Sequence, residues 1–271
     1  MLAVVAAAAL TSGSALAPAA QAPTLPTFSV TVSGSSVTVA GTPQSGAINV
    51  ISIANGAKEA SVILFRLNPG VSIAEVEAFL ASKRTADPNY ADKYGSIVFD
   101  AEAAPGHGSE AQTSLQAGQY LALGSVGEGP PKYHTAFTVS SAASPVALPK
   151  AEATIRSIEF AFRGPATLHD GELVRFENEG FLVHMNFAFP VKNQKAAKQA
   201  IKLLLAGNEK ALHKLVTGPP VGFAGPLSTG GYQQETINAK PGIYVEVCFM
   251  ETQDKRDHTR LGMERMIKIA K

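Results

Sequence analysis

The sequence predicts a mainly β protein made of two tandem β-sandwiches, each with a helical insertion. Three observations carry that reading. Gly 24 and Pro 17 in 271 residues, with 45% hydrophobic and 17% charged residues, describe many short turns around a packable core. Runs such as Phe28 to Val39 alternate with the period of a half-buried strand. Finally, the sequence matches itself without a gap at a constant offset of 124 positions, as between Tyr120 and Tyr244. The same offset places Gly56 on Gly180, Ile63 and Phe65 on Phe187 and Phe189, and Phe79 and Leu80 on Leu203 and Leu204. It also places Gly106 and Gly118 on Gly230 and Gly242, and His134 on His258.

The elements follow in chain order. Residues 1–22 read as a signal peptide or a disordered Ala-rich leader. Met1 to Leu10, MLAVVAAAAL, is about half the ~20 apolar residues a membrane span needs, and small residues follow at Ala17 and Ala19. No Lys or Arg precedes Lys58, so the usual basic start of a signal is missing. The expectation is a secreted or periplasmic protein with no integral membrane span. Residues 27–141 form the first domain, 142–151 a linker marked by Pro145 and Pro149, and 152–271 the second domain. In the first domain Ser72 and Glu75 make a capping box that opens a helix to about Lys83. In the second, Asn193 caps a helix through Ala206 with Gly207 as its stop, and a short helix runs from Asn208 to about Val216. Late in each domain a Gly-x-Tyr turn opens an apolar strand, GQYLAL and GIYVEV.

Composition also excludes. With 23 Lys+Arg against 22 Asp+Glu, the chain has no long-range field for nucleic acid or an anionic membrane. One cysteine makes no internal disulfide. No phosphate loop, nucleophile elbow or H-E-x-x-H zinc motif is present.

The chemistry gathers in the second domain. Cys248 ends an apolar strand, His258 lies ten positions later and Met263 five beyond it, while His184 opens an earlier strand. Taken singly, Cys248 is core, His258 a loop residue and Met263 a filler. Together, a thiolate, two imidazoles and a thioether are the soft set that suits copper. These residues resemble the cupredoxins. The motif is G-x-Y-x-x-x-C followed by H-x-x-x-G-M, here Gly242, Tyr244, Cys248, His258, Gly262 and Met263, with His184 preceded by Asn178 and Gly180.

The resemblance implies two tandem cupredoxin-like Greek-key β-sandwiches and one copper ion in the C-terminal domain. His184, Cys248, His258 and Met263 would be its ligands, converging at one end of the sandwich, with Met263 axial. It implies a one-electron carrier with an unknown redox partner protein. A single centre disfavours an enzyme. Two alternatives stay open: a metal-free extracellular binding or structural module, and a Cu(I) handling protein.

Three departures from the family stand out. The Cys-to-His interval is long. Met185 separates His184 from Asn186, where the family places Asn directly after His. Strand parity puts Glu246 on the core face with Tyr244 and Cys248, which demands a partner or a bulge. Parity also makes Val183, Met185, Phe187 and Phe189 the buried face and turns His184 outward unless a bulge intervenes. In the first domain the four ligand slots hold Ala60, Gly124, His134 and Val139, so no copper site is expected there.

Overall fold

The computed structural model describes residues 24–57, 60–82, 84, 87–127 and 131–271. The leader at 1–22 lies outside them, as does the expected helix end at Lys83. Eight strands form the first sandwich: β1 (Thr27–Ser33), β2 (Val37–Ala40), β3 (Gly46–Asn55), β4 (Ala60–Leu67), β5 (Gly95–Glu102), β6 (Ser109–Leu115), β7 (Gly118–Val126) and β8 (Tyr133–Val139). Nine form the second: β9 (Ala153–Ile158), β10 (Ala161–Arg163), β11 (Thr167–His169), β12 (Leu173–Asn178), β13 (His184–Val191), β14 (Val221–Leu227), β15 (Tyr232–Thr236), β16 (Gly242–Val247) and β17 (Glu264–Ala270).

One sheet of the first sandwich runs β2-β1-β3-β6 and the other β5-β4-β7-β8. The second sandwich runs β10-β9-β12-β15 and β14-β13-β16-β17-β11, so the order matches strand for strand, with β11 added at an edge. In both, the first strand pairs in parallel with a later strand of its own sheet, β1 with β3 and β9 with β12. A single pairing, Gln234 with Gln112, joins β15 to β6 and fuses two of the sheets into one of eight strands.

Each domain inserts its helix after the corresponding strand: α1 (Ile73–Leu80) after β4, and α2 (Gln194–Leu205) after β13. The Ser72–Glu75 capping box forms, and Asn193 Oδ1 accepts the Ala196 N–H, so both starts follow their sequence signals. Helix α1 ends at Leu80, earlier than expected, and the short helix α3 spans only Glu209–Leu212. Both large helices lie on the outer face of a sheet. Phe65, Val76, Phe79 and Leu121 make one outer core, and Phe189, Val191, Ala197, Ala200 and Val245 the other. Strands β13 and β16 are therefore buried on both faces, which removes the parity rule that turned His184 outward.

Residues 142–151 hold no strand or helix but lie against both sandwiches. Val146 O accepts the Ala47 N–H, and Pro149 O accepts from Gln234 Nε2. Ile97 and Ser228 exchange bonds across the domains, and Gln233 Oε1 accepts the Asp100 N–H. No helix among the described residues is long and apolar enough to cross a membrane.

Candidate metal centre

Strand β13 starts at His184, and a register shift between His184 and Asn186 bends it there. The bend and the double burial of the strand put His184 inside, 1% exposed, which is the exception to strand parity that a bulge allows. Cys248 follows the end of β16 and is fully buried. His258 begins a 3₁₀ turn, His258–Leu261, closed by Gly262 at φ 98°, a left-handed value that a glycine adopts without strain. The turn brings the chain back to Met263, whose carbonyl accepts the Cys248 N–H and whose N–H bonds the His258 carbonyl.

The ligand atoms of His184, Cys248 and His258 lie within 4.8 Å of one another, all three residues buried. His184 Nδ1 is 3.2 Å from His258 Nδ1 and 3.8 Å from Cys248 Sγ, and His258 Nδ1 is 3.4 Å from the sulfur. Metal bonds of about 2.0–2.3 Å at tetrahedral to trigonal angles separate donor atoms by about 3.3–3.8 Å, so the three fit one shared ion. Met263 is fully buried and packs in the same core cluster as Cys248.

The surroundings set the protonation. Glu159 Oε1, 3.0 Å from His184 Nε2, accepts its N–H and fixes Nδ1 as the lone pair that faces the other two donors. That carboxylate also accepts the N–H groups of Phe181 and Leu182. Burial holds His184 below the ordinary histidine value against the pull of Glu159. Burial, and then neighbouring His184, push His258 down to about 4. Burial pushes the Cys248 thiol up to about 12, although the Met185 and Met250 N–H groups favour the thiolate. Phe160 covers the pair of imidazoles, its ring 4.9 Å from that of His258 and 6.4 Å from that of His184.

Glu246 is buried as parity requires, and it is partnered. Arg265 Nε lies 2.6 Å from Oε2, and Asn186 Nδ2 donates to Oε1 at 3.0 Å. The displaced Asn186 thus serves the Glu246 carboxylate and the Ser157 hydroxyl. Sequence reasoning missed Glu159, Phe160 and Asn89. Only Glu159 left a trace, as one acid within an apolar run, SIEFAF.

In the first domain the slot of Cys248 is Gly124, where a side chain would stand 2.6 Å from Val37 Cγ2 and 2.9 Å from Val32 Cγ1. Two buried valines occupy the space a sulfur would need. His134 bonds Glu77 at 2.9 Å.

No family model and no curated protein matches the chain. Solved structures do. Auracyanin from Roseiflexus castenholzii is 20% identical, covering 44% of this chain and 95% of its own, with a TM-score of 0.26. A copper-containing nitrite reductase from Thermus scotoductus is 13% identical over 91% of this chain and 68% of its own, TM-score 0.26. A multicopper oxidase from Campylobacter jejuni, described as a metallo-oxidase, is 10% identical over 91% and 64%, TM-score 0.23. The last two are named as enzymes, which corrects the expectation of a non-enzyme. By its matched strand orders, equivalent parallel pairings of the first strand and helices inserted at equivalent points, this chain has a cupredoxin-like fold in two tandem domains.

Proposed function

We propose that this chain is an exported copper protein that carries single electrons through one type 1 site in its second domain. The observation that supports it most is the convergence of His184 Nδ1, His258 Nδ1 and Cys248 Sγ in a buried, Phe-covered cluster. His184, Cys248, His258 and Met263 would hold the copper. The bound metal supplies reversible one-electron exchange between Cu(II) and Cu(I). Glu159 orients His184, Met185 N–H donates to the sulfur at 3.4 Å, and Phe160 excludes water. A buried, crosslinked ligand set changes shape little between oxidation states, which is what fast electron exchange requires.

Export is supported by the apolar Met1 to Leu10 stretch and the small residues Ala17 and Ala19 that follow it. The two domains arose from one by duplication in this reading, supported by the 124-position offset and the matching strand orders. The redox partner is a protein of unknown identity. Reduction of the copper-loaded protein by a one-electron donor, followed in the visible region, tests the carrier role. A centre that loads but does not cycle reversibly would refute it.

A further inference from the structure

We propose that the first domain completes the metal centre through Asn89, a positioning residue that ties the two ligand-bearing segments of the second domain together. The idea takes its metal from the copper reading and its geometry from hydrogen bonds that exist without metal. Asn89 lies in a 3₁₀ turn, Pro88–Lys93, and is 6% exposed. Its Oδ1 accepts the N–H of Val183, the residue before His184, at 2.8 Å. Its Nδ2 donates to the carbonyl of Glu251, between Cys248 and His258, at 3.2 Å. Asp87 Oδ1 holds the amide in place, accepting from Asn89 N–H at 3.0 Å and from Nδ2 at 2.9 Å.

Both amide protons and the amide oxygen of Asn89 are thus in use, with Val183 and Glu251 on the two ligand-bearing segments. Within the second domain the two segments meet through the pairing of β13 with β16 and the Met185 N–H donated to Cys248 Sγ, and Asn89 adds a link farther along the loop, at Glu251. The loop carrying His258 is also held by the Met250 carbonyl, which accepts the His258 N–H, and by the bridge between Glu251 and Asp257. A first domain whose own cysteine slot is filled by valines thus still contributes a hydrogen-bonded link to the ligand segments of the second.

The test compares Asn89→Ala with Gln112→Ala in the full chain. The control removes an interdomain bond, Gln234 Nε2 to Gln112 Oε1 at 3.0 Å, that touches neither ligand segment. In metal-free protein, Asn89→Ala should speed exchange of the Val183 amide by about tenfold, the worth of one buried hydrogen bond, and quicken reaction of Cys248 with a thiol reagent. Gln112→Ala should change neither. In protein loaded with Cu(II), Asn89→Ala should shift the thiolate-to-copper absorption and raise the copper dissociation rate. Equal exchange and thiol reactivity in Asn89→Ala and wild type, or equal rises in both variants, would overturn the proposal. Wild type that takes up no copper while the metal-free contrast holds would support the bridge and overturn the copper reading alone. Asn89→Ser carries the same expectations should the alanine variant fail to fold.

Discussion

His184 and His258 present their Nδ1 atoms to each other across 3.2 Å, with the Cys248 sulfur within 3.8 Å of both. Glu159 takes the only proton of neutral His184 on Nε2, so its Nδ1 offers a lone pair. Neutral His258 can donate its Nδ1–H to that lone pair, and a shared cation would take the place of that proton.

Glu159→Ala should weaken copper binding by about 10–100-fold, the usual cost of losing the carboxylate behind a ligating histidine. Competition against a chelator measures it. An unchanged affinity would mean that the carboxylate only caps Phe181 and Leu182.

Copper uptake should release about one proton at neutral pH. Cys248 is a thiol there, at about 12, and His258, at about 4, is already neutral. Affinity should therefore rise roughly tenfold per pH unit through the neutral range. Calorimetry in buffers of different ionisation enthalpy counts the protons. A count near zero would exclude the thiol as the group that deprotonates.

Arg265→Met should destabilise the chain by about 3–5 kcal/mol, because it leaves the Glu246 carboxylate buried without its cation. The double variant Glu246→Met, Arg265→Met should recover most of that loss. Urea unfolding measures both. A cost under about 1 kcal/mol for the single change would contradict the pairing as a structural need.

Asp100 lines a cleft of about 290 Å³ between the domains, facing Gly225, with Glu102 beside it. Burial, and then Glu102, raise its carboxyl well above the ordinary range. A folded-state value above the unfolded one means the folded chain binds the extra proton, so stability falls as pH rises from the ordinary carboxylate range through the raised value. Asp100→Asn should thus raise Tm more at pH 8 than at pH 4. A difference that is flat, or larger in acid, would contradict this.

Much of this was legible in the sequence because local signals agreed with the fold. The capping box at Ser72 and the Asn193 cap needed only their own turns, and the offset that aligns β4 with β13 also aligns Ala60 with His184. What the sequence left open had causes outside the local segment. His184 faces inward because α2 covers the outer face of β13 and frees the strand from a one-sided pattern. Glu246 is tolerated because of Arg265 on the adjoining strand. Asn89 stands 94 positions from Val183, and no spacing rule connects a turn of one domain to a ligand strand of another.

The most direct test is the visible absorption spectrum of the full chain loaded with Cu(II), beside that of Cys248→Ser. The copper reading predicts an intense thiolate-to-copper band in the wild type that vanishes in the variant, with about one copper bound per chain. A colourless wild-type protein whose single thiol titrates freely in the presence of Cu(II) would contradict it.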